Sequence, residues 1–133
     1  MEKKAITQHD LNRFTGDIER YHHWFNRRVI YTPGVQYLAE RAQAHWLLDA
    51  IVFYFGSDVM VQAAKRDRRL RDMQFWRLEV RADQSALLSA RADSDEDPFI
   101  SQLIPFTDMP LRHVDIWAGF DGQYWTLYLP SEH

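Results

Sequence analysis

The chain contains no cysteine. That excludes disulfide staples, thiolate nucleophiles and cysteine-ligated zinc, and it suits a reducing compartment. The opening MEKKAITQHD lacks the apolar core a signal peptide requires, so a cytoplasmic protein is expected. No apolar run has membrane length: the greasiest, from Trp46 to Phe55, holds about ten residues where roughly 20 are needed to cross a bilayer. Also missing are HExxH, a P-loop, a glycine-rich dinucleotide fingerprint and a nucleophile elbow. Nor is there a helix-turn-helix or RRM signature. No stretch names a reaction, and no cofactor or metal is expected.

What is present is a chain of single-domain length with 46% hydrophobic and 14% aromatic residues, including five tryptophans, which excludes general disorder. Net charge is −3, unevenly spread. Residues 1–81 carry 14 Lys and Arg against 10 Asp and Glu, and residues 82–133 carry 2 against 9. Overall acidity speaks against nonspecific nucleic-acid binding.

The pattern organises the chain as helices first and strands after. Thr7 with Asp10 forms a capping-box pair for a short helix ending by Gly16. The state of residues 17–31 stays open, apart from a short strand or turn near Tyr21 to Phe25. Thr32 then offers an N-cap and Pro33 fits the first helical position, so a helical reading runs from Tyr31 to Phe55. Its second half, Trp46 to Phe55, leaves almost no polar side and reads as a buried central helix. After Gly56, Ser57 and Asp58 cap a further helix over about 59–65. Lys65 to Asp72 is a basic, solvated connector.

Trp76, Leu78 and Val80 alternate with Arg77, Glu79 and Arg81, the period of a half-buried antiparallel strand. Ala86 to Ala92 returns as its partner, and the acidic run 93–97 closing at Pro98 is a loop. A third strand follows over 99–106. Asp121-Gly122 favours a two-residue hairpin turn. That turn pairs Phe120 with Gln123, Ala118 with Trp125, Ile116 with Leu127 and Val114 with Leu129. The other face then collects Asp115, Trp117, Tyr124, Thr126 and Tyr128, with Trp117 across from Thr126. The expected fold is α+β, N-terminal helices packed on one face of an antiparallel sheet of about four strands, in meander order, formed by the C-terminal half.

Three groups of residues could carry function. The outward rings of Trp117, Tyr124 and Tyr128, with Asp115 and Thr126, suit a protein interface, although cross-strand aromatic pairs also stabilise sheets unaided. His45 and Asp49 lie one helical turn apart, the spacing at which a carboxylate can orient an imidazole, as in a small hydrolase or metal enzyme. His22 and His23 join them only if the fold brings them near. The same pair also suits a satisfied polar contact. Lys65, Arg66, Arg68, Arg69 and Arg71 suit phosphate contact, but they lack the interleaved aromatics of single-strand binders, which favours reading them as a solvated loop.

The motifs Tyr31-Thr32-x-Gly34-Val35-x-Tyr37-Leu38-Ala39-Glu40, Trp46-Leu47-Leu48-Asp49-Ala50-Ile51, Trp76-x-Leu78-x-Val80, Phe106-Thr107-Asp108-x-Pro110 and Leu129-Pro130-Ser131-Glu132 together resemble a small bacterial domain family of unknown function, many of whose members come from phage, plasmids and other mobile elements. The chain departs from it at His45, where Tyr is usual, and in a longer, more basic stretch between Phe53 and Met73. The resemblance implies a compact single domain and supplies no catalytic residue. The sequence thus points to a non-enzymatic accessory protein that binds another protein or a second copy of itself, in preference to nucleic acid or a membrane.

Overall fold

A computed structural model of the chain describes residues 6–16 and 19–133. Four α-helices, α1 (Gln8–Asn12), α2 (Pro33–Arg41), α3 (His45–Phe53) and α4 (Asp58–Arg66), join seven strands: β1 (Tyr21–His22), β2 (Val29–Tyr31), β3 (Met73–Val80), β4 (Ala86–Arg91), β5 (Ile100–Ile104), β6 (His113–Phe120) and β7 (Trp125–Tyr128). The strands form one mixed sheet in the order β1-β2-β7-β6-β3-β4-β5.

The helix starts follow the capping chemistry. Thr7 Oγ1 accepts from the Asp10 amide at 3.2 Å while the Thr7 amide donates to Asp10 Oδ2 at 3.0 Å. Thr32 and Ser57 cap α2 and α4 through the amides of Val35 and Met60, each at 3.3 Å. The long helical reading over 31–55 is corrected, because the chain breaks between α2 and α3. Gln43 enters the left-handed region at φ 50°, and the Ala44 amide folds back to the Ala39 carbonyl at 2.8 Å. The break lets α3 leave the axis of α2. One side of α3 is buried through Leu47, Leu48, Ile51 and Val52, yet Phe53 is 70% exposed, so its apolar composition overstates its burial.

Two further expectations are corrected. The sheet has seven strands where about four antiparallel ones were expected, because β1 and β2 come from the N-terminal half and β2 runs parallel to β7. Strands of two and three residues are too short to show a period, and the β2–β7 pairing joins residues 96 positions apart. Nor is the topology a simple meander: β3, β4 and β5 follow in sequence, and β6 returns to the free edge of β3 in Greek-key order.

The hairpin register is also corrected. Phe120 pairs with Trp125, Ala118 with Leu127 and Trp117 with Tyr128, so the loop has four residues and not two. Asp121 is the cause. Its Oδ1 accepts from the amides of Gln123 at 2.8 Å and Tyr124 at 2.7 Å, while its own amide donates to the Tyr124 carbonyl at 3.1 Å. Gly122 takes φ 100° within that loop. A shift of two residues keeps each residue that remains in the strands on its expected face, since the side-chain period is two.

The helices supply one core with Trp76, Leu78, Leu88, Val114, Ile116 and Leu127 from one sheet face. Among the described residues no single helix is long and apolar enough to cross a membrane; α3 and α4 pass that test only as a pair bent by 62°. The C-terminal motif closes the core. Glu132 Oε1 accepts from the Thr32 hydroxyl at 2.6 Å and the Leu129 amide at 2.9 Å, and Oε2 accepts from the Gly34 amide at 3.3 Å. A carboxylate thus sits at the N-terminus of α2, where unpaired amides and the helix dipole favour negative charge.

Candidate functional site

The sheet face away from the helical core carries the aromatic cluster. Strand alternation sends Phe75 and Arg77 of β3 to that face together with Trp117 and Asp115 of β6, and the register sets Phe75 opposite Trp117 and Arg77 opposite Asp115. Phe75 meets the Trp117 ring edge-on at 5.1 Å and 79°. Trp117 in turn meets Tyr128 at 6.2 Å and His133 at 5.4 Å, both edge-on. His133 stacks on Tyr128 with 16° between planes, and Tyr128 Oη lies 2.9 Å from its Nδ1. Burial raises the Tyr128 phenol above its ordinary range. The four rings are thus packed against one another.

Charged groups flank the rings. Arg77 Nε donates to Asp115 Oδ1 at 2.7 Å and Nη2 to Oδ2 at 3.2 Å, a bidentate pair that raises the guanidinium further above its ordinary range. Arg91 donates only to neutral acceptors, Ser89 Oγ at 2.8 Å and the Glu96 carbonyl at 3.1 Å. Phe75, Arg77, Arg91, Asp115, Trp117 and Pro130 line a shallow concavity of about 270 Å³.

Of the five residues expected here, Trp117, Tyr128 and Asp115 are brought together. Thr126 lies on the same face but opposite Gly119, and Tyr124 lies in the loop, where its ring meets His22 at 5.8 Å. Trp117 is half-buried, not free in solvent. Sequence reasoning missed Phe75, Arg77 and His133. The signal for Phe75 was present in FWRLEV, since a Phe two residues before Arg77 in an alternating strand must share its face.

Asp49 has other partners than His45. His45 is exposed, whereas Asp49 Oδ1 accepts from His23 Nε2 at 2.7 Å and Trp24 Nε1 at 3.0 Å. The second nitrogen of His23 faces the Phe25 amide at 3.3 Å. His23 is 2% exposed, so both ring nitrogens are used in holding the 23–25 loop against α3. His23→Ala is expected to lower unfolding free energy by about 1–3 kcal/mol, since a buried amide and a carboxylate lose their partner. Urea titration checks this, with a loss near zero showing that the loop is held otherwise.

The basic segment faces the acidic run. Arg69 Nη2 lies 2.7 Å from Asp67 Oδ2 and 2.8 Å from Glu96 Oε2, so residues 65–71 and 93–97 border one cleft of about 530 Å³ containing both signs of charge. Lys65, Arg66, Arg68 and Arg71 remain exposed. Among the described residues no three His, Asp or Glu side chains gather as a metal site requires.

The architecture is that of a two-layer α+β domain whose sheet presents a ring-bearing face opposite its helical core. The chain belongs to DUF6876, a family of unknown function, whose sequence profile matches residues 5–133. No curated protein and no solved structure matches it. Two of its motifs meet in space, since Thr32 and Gly34 contact Glu132, and a third supplies the core face of β3. A fourth forms a turn in which buried Thr107 Oγ1 accepts from the Met109 amide at 3.1 Å. These contacts build the fold.

Proposed function

We propose that this is a non-enzymatic binding protein that docks another protein on the open sheet face. The carrying observation is the Phe75–Trp117–Tyr128 ring cluster beside Arg91, which has no carboxylate partner among the described residues. The occupant that fits is a segment placing an apolar side chain in the concavity against Phe75 and Trp117 and a carboxylate against Arg91. Rings packed against one another give contact area at little entropic cost, and Trp, Tyr and Arg are the residue types that dominate binding hot spots. The setting we propose is a mobile element, on the resemblance of the chain's motifs to proteins carried by such elements, with a partner in the host cytoplasm.

The test is quantitative capture from a native host by the wild-type protein and by Trp117→Ala, Phe75→Ala and Lys65→Ala, followed by titration of the purified partner. A partner whose affinity falls at least about tenfold with either ring variant, and is unchanged with Lys65→Ala, supports the reading. Thermal unfolding shows whether each variant is folded. Binding indifferent to both rings, or lost equally with Lys65→Ala, sinks it.

A further inference from the structure

We propose that the chain forms a two-fold symmetric dimer by antiparallel pairing of β5 with β5 of a second copy. The sheet has two outer strands, and only one of them is a usable edge: β1 has two residues, whereas β5 has five and is paired on one side alone, with β4. The Arg81 amide donates to the Ser85 carbonyl, so alternation turns the backbone groups of Ser85, Leu87 and Ser89 toward β3 and those of Ala86, Leu88 and Ala90 toward β5; their register partners Ile104, Gln102 and Ile100 therefore face inward, and the backbone groups of Ser101 and Leu103 face outward. An unpaired row of donors and acceptors is completed by another extended strand.

The usual protections of such an edge are missing. Pro98 to Thr107 contains no charged residue, and the prolines at 98 and 105 bracket β5 without interrupting it. Leu103 is 57% exposed and Phe106 63% exposed.

Self-complementarity selects a second copy as the occupant. A two-fold axis at Gln102 sets Gln102 against Gln102, Ile100 against Ile104 and Ser101 against Leu103, so about four main-chain hydrogen bonds form, between Ser101 of each copy and Leu103 of the other, with no like charges opposed. The Tyr54 hydroxyl reaches Gln102 Oε1 at 2.6 Å, placing the exposed Phe53 beside the same axis. Pairing therefore brings the two α3 ends together over the joint and continues one sheet through both molecules. The ring cluster on β3, β6 and β7 stays free.

Sedimentation equilibrium of the intact chain tests this. Wild type is expected to dimerise, and Ser101→Pro, which removes an outward amide while sparing the inward ladder to β4, is expected to weaken the dimer at least about tenfold. Leu103→Lys is expected to weaken it likewise, and Ser101→Glu in the same chain to restore it, because positions 101 and 103 face each other across the axis. Circular dichroism reports whether each variant is folded, and the charged 101/103 pair decides if Ser101→Pro is not. Trp117→Ala should leave the dimer unchanged, which separates this proposal from docking on the ring face. A wild type that stays monomeric to high concentration, or a dimer indifferent to both edge changes, overturns it.

Discussion

Trp76→Ala is expected to cost about 3–5 kcal/mol of stability, enough to unfold much of a population whose total stability is about 5–15 kcal/mol. Trp76 is 1% exposed and among the largest fully buried side chains. Its ring packs against Tyr54 at 5.6 Å and Phe55 at 6.4 Å, so truncation opens a cavity where α3 meets the sheet. A polar consequence follows. Trp76 Nε1 donates to Gln74 Oε1 at 3.1 Å, and Gln74, itself fully buried, donates on to the Leu70 carbonyl at 3.1 Å. Losing the indole leaves a buried acceptor unpaired. Trp76→Phe separates the two effects, since it refills much of the space but not the hydrogen bond, and about 1–3 kcal/mol is expected. Urea unfolding followed by far-ultraviolet circular dichroism measures both. A loss under about 1 kcal/mol for the alanine variant would mean that α3 is not seated on this ring.

The second large effect has a sign opposite to the ordinary rule. Gly→Ala inside a helix normally stabilises by about 0.5–1 kcal/mol, and Gly34 is the second residue of α2. Here the added Cβ would lie 2.6 Å from Glu132 Oε1 and 2.8 Å from Leu129 Cδ1. Neither neighbour yields freely, because Glu132 is held by three hydrogen bonds and Leu129 is buried. Overpacking costs about 1–3 kcal/mol, and displaced bonds to the helix start add about 1 kcal/mol, so Gly34→Ala should destabilise by about 2–3 kcal/mol net. A double-mutant cycle tests the cause. Glu132→Ala should cost at least about 1 kcal/mol less in the Gly34→Ala background than in wild type. Additivity would show that the two residues are uncoupled.

Both cases concern residues whose surroundings alternation and capping only partly revealed. FWRLEV placed Trp76 in the core by its period alone, but nothing in it told that Gln74 would be buried beside the ring. Thr32-Pro33 marked the start of α2, whereas the carboxylate completing that start comes from nearly 100 residues away. The hairpin shows the same division. Parity put Trp117 on the outer face correctly despite a register displaced by two, because faces depend on odd or even position and pairing depends on how the Asp121 side chain holds the loop. Phe75 went unread, and His133 could not be placed at all.

Local chemistry in the sequence was enough to set the caps of α1, α2 and α4, the inward residues of β3 and β6, the absence of thiol chemistry and the division into helices followed by strands. Those depend on groups within a few residues of one another. Only the tertiary structure decided the insertion of β2 beside β7, the choice of His23 over His45 as the partner of Asp49, the meeting of Arg69 with Glu96 and the assembly of Phe75, Trp117, Tyr128 and His133. Each joins distant stretches, whose pairing is chosen by what the whole sheet and core can bury together.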